Sequence, residues 1–340
     1  RIKILGRMDV VEKRRPQDGR IKTRTADGQE IELRLSTLPT AFGEKLVMRV
    51  FDPEVLVKNF SELGFSDEDQ ARWNQMTVAP HGIILVTGPT GSGKTTTLYS
   101  TLKTLATEEV NVCTIEDPIE MVEPAFNQMQ VTHGIDLGFA DGVRALMRQD
   151  PDIIMVGEVR DLETAEMAVQ AALTGHLVLS TLHTNDSVAA ITRLLDLGVP
   201  PYLLNSTILG VMAQRLVRTL CTHCKQKVTY DDARAEDLTW EEFVAPWKAK
   251  RPAHIFRPVG CLECRNTGYI GRIGIYEILL MSPAMKRLVD AEADLAKMRE
   301  LAYKEGMKPL RISAAMKVAA GLTTIEEAIK VAPPPQREGE

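Results

Sequence analysis

The amino-acid sequence predicts an α/β fold with a mostly parallel β-sheet, centred on residues 63–220. Apolar segments with strand character alternate with amphipathic helical segments throughout this region. A glycine-rich turn at 88–93 joins one apolar strand to one helix, and acidic residues follow two other strands. Because the carboxyl ends of parallel strands meet at one edge of a sheet, these features together predict a ligand site at that edge.

The composition limits the class of protein. The chain has 340 residues, of which 44% are hydrophobic and 26% charged, and its formal net charge is −5. These values predict a globular chain of two or three domains and argue against a dedicated nucleic-acid binder. No apolar run approaches the ~18–20 residues that a membrane-spanning helix needs. The sequence starts with Arg1 in a basic stretch, so we expect a natural N-terminal region to precede it.

Residues 1–51 precede the α/β region and show a different pattern. Apolar and polar side chains alternate over 31–35 and 46–51, and Asp-Gly pairs mark turns between short strands. This pattern predicts the C-terminal part of a small α+β domain. Residues 52–62 are predicted to form a linker to the α/β region.

Three further segments are predicted after the α/β region. Residues 221–275 hold four of the five cysteines of the chain. Helical periodicity runs from about Met281 to Ala332, and residues 276–332 are predicted to form a C-terminal helical region. Residues 333–340 are rich in proline and charge, and we expect this tail to be disordered.

Residues 88–95 match the phosphate-binding P-loop pattern at every required position. An apolar strand at 83–86 precedes the loop and a predicted helix at 95–105 follows it, which is the required context. Glycines let the main chain curl so that its N–H groups face phosphate oxygens, and the helix N-terminus favours negative charge. In such a loop Lys94 reaches the β- and γ-phosphates and the Thr95 hydroxyl binds Mg²⁺. The predicted nucleotide-binding residues are Gly88, Pro89, Thr90, Gly91, Ser92, Gly93, Lys94, Thr95 and Thr96.

Two carboxylates follow apolar strands and are candidates for holding Mg²⁺ and orienting an attacking water. Glu158 follows the apolar run 153–156, and Glu116 follows the run 112–115. We predict that one acid polarises the water and the other holds Mg²⁺ through water, with the two roles left open. The alternative is that either acid only caps its strand. The adjacent Asp117 is predicted to be structural, accepting N–H bonds at a turn.

A third apolar strand, 177–182, is followed by the polar residues His183, Thr184 and Asn185. This strand also ends at the predicted ligand edge of the sheet. We predict that His183 senses the γ-phosphate or a neighbouring subunit, the alternative being a structural histidine. His176, which precedes the same strand, is predicted to be structural.

The remaining chemical signal comes from two Cys-x-x-Cys pairs, which suit metal binding in a reducing cytosol better than disulfides. Four thiolates provide the tetrahedral ligand set that Zn²⁺ prefers and leave no open coordination position. The sequence therefore predicts a structural zinc site, the alternative being unligated thiols. The fifth cysteine, Cys113, lies in an apolar strand and is predicted to be a core residue. The predicted zinc ligands are Cys221, Cys224, Cys261 and Cys264.

The order and spacing of these motifs resemble those of the type II/type IV secretion ATPases. The P-loop corresponds to the Walker A motif of that family, and the resemblance covers nearly the whole chain. It implies a RecA-like P-loop ATPase core preceded by part of a PAS-like α+β domain. The segments that resemble the family's Asp box, atypical Walker B motif and His box are 114–120, 153–161 and 175–185.

The resemblance also implies roles for residues that the pattern alone leaves open. Two arginines of the family's second N-terminal domain touch the nucleotide phosphates, and Arg34 and Arg49 match them. Arg272 matches a position near the adenine. A tetracysteine element is present in the secretion and pilus-extension members of the family and typically absent from its retraction members.

From the motifs and the resemblance we predict a hexameric ATPase that uses ATP and Mg²⁺ and powers a bacterial type II secretion system. The alternative is a type IV pilus assembly ATPase, and further alternatives are a DNA translocase and a non-hydrolysing ATP-binding scaffold. We expect a homohexamer that acts with inner-membrane platform proteins. It is expected to be cytoplasmic, to reach the membrane only through these partners, and to bind no nucleic acid stably.

Overall fold

The computed structural model describes residues 1–24, 28, 30–51, 58–229 and 240–333. The chain divides into two compact units, Arg1–Lys58 and Asn59–Glu340. Most of the predicted linker and nearly all of the predicted tail lie outside the described residues.

The N-terminal unit contains a short helix, α1, and a three-stranded antiparallel sheet in the order β1-β2-β3. Along β2, Leu35 and Thr37 are buried whereas Ser36 and Leu38 are exposed, as expected for a sheet with one covered face. This arrangement agrees with the α+β pattern of the sequence. The elements are α1 (Ile2–Leu5), β1 (Gln17–Arg24), β2 (Glu30–Thr40) and β3 (Gly43–Phe51).

A seven-stranded sheet, in the order β12-β9-β4-β8-β7-β5-β6, forms the centre of the second unit. All neighbouring strands are parallel except β12, which pairs with β9 in the antiparallel sense. A separate antiparallel pair, β10 and β11, lies between β9 and β12 in the chain. The strands are β4 (Gly82–Thr87), β5 (Val112–Glu116), β6 (Asn127–Gln130), β7 (Ile153–Val156), β8 (Leu177–Leu182), β9 (Ile208–Leu220), β10 (Gln226–Thr229), β11 (His254–Arg257) and β12 (Tyr269–Leu280). The prediction of an α/β fold with a mostly parallel sheet is confirmed.

Helices cover both faces of this sheet. Ile83 and Leu85 of β4 pack into one buried cluster, whereas Ile84 and Val86 pack into another with Trp73. Strands buried on both faces explain the near-continuous apolar runs of the sequence. The helices are α2 (Phe60–Leu63), α3 (Asp67–Thr77), α4 (Lys94–Leu105), α5 (Phe139–Leu146), α6 (Leu162–Leu173), α7 (Ser187–Asp196), α8 (Pro201–Thr207), α9 (Trp240–Val244), α10 (Pro283–Lys286), α11 (Leu295–Lys304), α12 (Leu310–Ala319) and α13 (Ile325–Val331), with a 3₁₀ turn at His133–Ile135.

Two element boundaries differ from the divisions drawn from the sequence. Strand β12 continues across the boundary expected between 275 and 276, because residues 272–280 pair with β9 without interruption. Residues 276–280 therefore belong to the central sheet and not to a helical region. Helix α2 starts inside the expected linker, at a capping box in which Asn59 and Glu62 exchange hydrogen bonds.

Candidate functional site

The P-loop connects the carboxyl end of β4 to the N-terminus of α4. Gly88, Gly91 and Gly93 all have positive φ angles, of 149°, 78° and 86°. Lys94 is the first residue of α4, and its ammonium group donates hydrogen bonds to the carbonyl oxygens of Gly88 (2.8 Å) and Pro89 (3.2 Å). Burial lowers the pKa of Lys94, while the negative charge of a nearby carboxylate opposes this shift. The lysine is therefore held over the loop at the end of a buried strand.

The other P-loop residues differ in their surroundings. Pro89, Thr90 and Gly91 are exposed, and the side chains of Thr95 and Thr96 are half-buried at the start of α4. The Ser92 hydroxyl is buried and has no hydrogen-bond partner within the described part of the chain. An orphaned buried hydroxyl inside a loop of main-chain N–H groups fits a loop built to receive phosphate oxygens.

Gln214 supports the loop from the neighbouring strand β9. Its carbonyl oxygen would lie 2.3 Å from a Cβ atom at Gly88, so only glycine fits there. The side-chain oxygen of Gln214 accepts a hydrogen bond from the Thr97 hydroxyl of α4 at 2.9 Å. Sequence reasoning missed this residue, although a glutamine inside the apolar run of β9 was a usable signal.

Glu158 lies just after β7, and its carboxylate is largely buried but still reaches the surface. One oxygen is 2.5 Å from the Arg160 guanidinium and the other is 3.4 Å from Nε2 of His183. The carboxylate of Glu158 is also the negative charge that acts on Lys94. The hydrogen bond to Glu158 raises the pKa of Arg160. The structure therefore brings together the P-loop lysine, the predicted Walker B acid and the predicted histidine.

Glu116, the other predicted acid, has a different environment. It is 3% exposed, and both carboxylate oxygens accept hydrogen bonds from uncharged groups. The Tyr99 hydroxyl lies 2.7 Å from Oε2, and the Thr114 hydroxyl lies 2.7 Å from Oε1. The Gln128 amide lies 3.2 Å from Oε1. The two acids thus end strands of the same sheet, but buried, uncharged donors hold Glu116 whereas the exposed side chains of Arg160 and His183 contact Glu158.

Asp117 and His176, both predicted to be structural, also make defined contacts. The Asp117 carboxylate lies 3.3 Å from Nε2 of His133, an exposed side chain. The Nδ1 atom of His176 lies 2.8 Å from the carbonyl oxygen of Ala171, which ties it to the end of α6.

In the N-terminal unit, Arg34 lies directly opposite Arg49 across β2 and β3, and opposite Arg20 across β1 and β2. Directly opposed residues project to the same face of a sheet, so the arginines form one row. The Glu32 carboxylate lies 3.7 Å from both Arg20 and Arg34. A row of like charges destabilises a sheet in isolation and suits contact with a polyanion.

Arg272 is exposed on β12, directly opposite Arg218 of β9. Further along the same pair of strands, Tyr276 lies opposite Gln214, which supports the P-loop. Arg272 thus belongs to the strand pair beside the loop, and its contact with adenine stays a prediction.

The four predicted zinc ligands come together, with all their sulfur atoms within 4.8 Å of one another. The Sγ–Sγ distances are 3.8 Å for Cys221–Cys261 and Cys224–Cys264, and 3.7 Å for Cys261–Cys264. A tetrahedron with Zn–S bonds of about 2.3 Å has edges of about 3.8 Å, so the sulfurs fit zinc.

Main-chain donors complete this cluster. Gly260 N–H donates to Sγ of Cys224, and the N–H groups of Cys261 and Gly268 donate to Sγ of Cys264. Burial raises the pKa of Cys224 to about 11. Burial acts in the same direction on Cys264, but hydrogen bonds from the two N–H groups, together with those from the Cys261 and Cys224 thiols, lower the pKa of that thiol to about 6. Such N–H donors stabilise thiolates, which are the form that binds zinc.

A family model described as "Type II/IV secretion system protein" matches residues 1–330. The chain belongs to the type II/IV secretion system protein family. It is 62% identical over 333 residues to the type IV pilus assembly ATPase TfpB of Acinetobacter baylyi, covering 98% of this chain and 56% of that protein. It is 48% identical over 331 residues to the type II secretion system protein E of Pseudomonas aeruginosa, covering 97% of this chain and 64% of that protein.

A solved structure also supports membership of this family. The pilus retraction motor PilT with bound ADP aligns with a TM-score of 0.66 and 28% identity, covering 95% of this chain and 79% of PilT. The chain spans less than two thirds of the length of the two sequence relatives. Within the described residues of this secretion family member, no helix has the length and apolar character needed to cross a membrane.

Proposed function

We propose that this chain hydrolyses ATP and that the hydrolysis drives a hexameric secretion or pilus motor. The observation that carries the proposal is the meeting of Lys94, Glu158 and His183 at the carboxyl edge of the parallel sheet, beside a complete P-loop. The P-loop N–H groups and Lys94 hold the β- and γ-phosphates, and the Thr95 hydroxyl holds Mg²⁺. A Mg²⁺ ion held there would supply positive charge that offsets the negative charge of the phosphates.

We assign the water-polarising role to Glu158. Its partners Arg160 and His183 are exposed side chains that can rearrange, with 62% and 49% of their side-chain surfaces accessible. Glu116 is buried among fixed donors and cannot turn toward a water without breaking them. Glu116 therefore acts on bound Mg²⁺ from a fixed position, through water or through its charge.

Arg34 and Arg49 are assigned to the negative charge that develops on the γ-phosphoryl group. Guanidinium groups stabilise that charge well, and an arginine that arrives only on domain closure couples hydrolysis to movement. Arg34 and Arg49 lie in one row on the N-terminal sheet, so both side chains can contact the same anion.

For the cellular process, we propose type IV pilus assembly in place of type II secretion, which the sequence motifs put first. The sequence identity to two relatives supports this choice. The pilus ATPase relative is 62% identical, whereas the secretion relative is 48% identical. We propose that the motor stroke is passed to platform proteins of the inner membrane. The protein would then work at the cytoplasmic face of that membrane, held there by these partners.

The first test is steady-state ATP turnover by the assembled protein, with and without double-stranded DNA. The Glu158→Gln variant serves as the blank. Turnover that is lost in the variant and indifferent to DNA supports the motor. Strong stimulation by DNA would favour a translocase, and turnover no higher than that of the blank would favour a non-hydrolysing scaffold.

A second test separates the two cellular processes. Replacing the chromosomal gene with the Glu158→Gln allele should abolish surface pili and leave extracellular protein secretion intact if the chain serves pilus assembly. Loss of secretion with normal piliation would reverse that assignment.

A further inference from the structure

Tyr99 lies on α4, the same helix that carries Lys94 and Thr95, and is 1% exposed. Its hydroxyl oxygen is 2.7 Å from Oε2 of Glu116 and 3.0 Å from the carbonyl oxygen of Met121. Burial, followed by the negative charge of Glu116, raises the pKa of Tyr99, so the phenol keeps its proton. The P-loop helix therefore has a protonated donor aimed at one of the two predicted acids.

A count of donors shows where the Tyr99 proton goes. The Gln128 amide has two protons and lies 2.9 Å from the Met121 carbonyl oxygen, 3.0 Å from the Tyr99 hydroxyl oxygen and 3.2 Å from Oε1 of Glu116. Its shortest contact gives the Met121 oxygen a donor other than Tyr99. The Thr114 hydroxyl and the Gln128 amide both lie next to Oε1 of Glu116. Oε2 has Tyr99 as its sole protein donor in the described part of the chain. Tyr99 therefore donates its single phenolic proton to Oε2 of Glu116.

This contact matters because Glu116 is a buried carboxylate without a cationic partner among the described residues. A buried charge needs hydrogen bonds to compensate for lost solvation, and losing one of them leaves an oxygen unsatisfied. The lone Oε2 donor therefore has a large influence on where the carboxylate sits. The same donor is rigidly attached to the helix whose first turn holds the phosphates.

We infer that Tyr99 is a positioning residue for ATP hydrolysis. Its hydroxyl fixes the Glu116 carboxylate relative to Lys94 and Thr95, so that the acid and the phosphate-binding helix keep one geometry during turnover. The inference rests on the proposed ATPase function. It assigns Tyr99 no contact with the nucleotide, and its effect is exerted through Glu116.

The test replaces Tyr99 by phenylalanine, which removes only the hydroxyl. We expect kcat of the assembled protein to fall about 10- to 100-fold, the range for loss of sub-ångström positioning, with KM for ATP changed by less than about 3-fold. The matched control is Trp73→Phe. Trp73 is 0% exposed and also donates one buried hydrogen bond to α4, from its indole N–H to the Thr101 hydroxyl at 3.1 Å. This control should keep kcat within about 2-fold of the wild type.

A double-mutant cycle with Glu116→Gln identifies the route of the effect. In the Glu116→Gln background, Tyr99→Phe should lower kcat by less than about 2-fold, because the carboxylate that Tyr99 positions is no longer present. The same cycle is measured by urea unfolding, which reports the Tyr99–Glu116 contact even when a variant is too slow to assay.

The possible outcomes separate this inference from the ATPase proposal. Wild-type turnover with an unchanged Tyr99→Phe variant overturns the inference and leaves the ATPase proposal standing. Equal losses in Tyr99→Phe and Trp73→Phe, or independent effects of Tyr99 and Glu116 in both cycles, also overturn it. A wild type without turnover overturns the ATPase proposal itself.

Discussion

The side-chain oxygen of Thr87, the last residue of β4, lies 2.7 Å from that of Thr184, which follows His183. The Thr87 oxygen also accepts a hydrogen bond from the main-chain N–H of Thr184 at 2.8 Å. Thr87 is fully buried. One side chain thus ties the start of the P-loop to the segment that carries the histidine next to Glu158.

Thr87→Val should lower kcat about 10-fold, because it keeps the shape but leaves the Thr184 N–H without its acceptor. ATP affinity should change less than kcat, since the phosphate-binding N–H groups are untouched. Steady-state kinetics measure both values. Thr104→Val, at the far end of α4, removes a hydroxyl that bonds only to its own helix and serves as the control. Equal losses in the two variants would contradict a specific role for Thr87.

Gln214→Leu should destabilise the protein by about 1–3 kcal/mol, because the buried Thr97 hydroxyl loses its acceptor. Adding Thr97→Val should recover most of that loss, since removing both partners of a buried hydrogen bond is nearly neutral. Urea unfolding of the two single variants and the double variant measures the recovery. Additive losses would show that the Gln214–Thr97 bond is not the source of the effect.

The sequence predicts the parts of this site that are encoded locally. The P-loop, Glu158 and His183 each lie in a short segment whose strand and following residues can be read directly. The environments of the two acids could not be predicted this way. The environment of Glu116 depends on β6 pairing with β5, which brings Gln128 to it, and that of Glu158 depends on β8 pairing with β7, which brings His183 to it. Strand order is set by packing between distant segments.

The same reasoning explains the misplaced boundary at 275/276. The apolar end of β12 has no alternation because the strand is buried, so periodicity alone cannot separate it from a buried helix. Pairing with β9 makes this segment a strand. Gln214, on β9, escaped notice for a related reason, because its importance comes from lying beside the P-loop in the sheet.

Removal of zinc should unfold the cysteine region before the α/β core. We expect about one zinc per chain by elemental analysis, and a lower melting temperature after chelation. Cys264→Ser should lose the zinc, because serine cannot replace the thiolate ligand that two N–H donors stabilise at this position. Cys113→Ala, which alters the buried cysteine outside the cluster, should keep it. Equal zinc content in both variants would rule out the tetracysteine site.

Arg34→Ala and Arg49→Ala should each lower ATP turnover of the assembled protein by about 10³-fold or more, the scale of an arginine finger. Their unfolding free energies should change by less than about 1 kcal/mol. Each removal relieves repulsion across the strand pair, and for Arg34 the loss of its 3.7 Å contact with Glu32 offsets part of that relief. Turnover and urea unfolding measured on the same preparations separate the two effects. Unchanged turnover in both variants would contradict the assignment.

Glu327→Gln should show a pH-dependent loss of stability. The Glu327 carboxylate receives two hydrogen bonds from Arg218, at 2.9 and 2.5 Å, and these lower its pKa in the folded state. The unfolded chain has an ordinary pKa near about 4.3, so the stabilisation is complete above that value and disappears as pH falls through the folded pKa. Because Arg218 is half-exposed, solvent screening limits the expected loss to about 1 kcal/mol at neutral pH.

Urea unfolding from about pH 7 down to about pH 2, below the lowered folded pKa, measures this difference between wild type and Glu327→Gln. The difference should shrink toward zero as the pH falls, because the wild-type carboxylate becomes protonated and loses its attraction to Arg218. The control is the neighbouring variant Glu326→Gln. Glu326 is exposed on the same helical turn, and its replacement removes the same charge. A constant difference across the pH range would mean that Glu327 stabilises the fold by packing or neutral hydrogen bonds, and not by its ion pair.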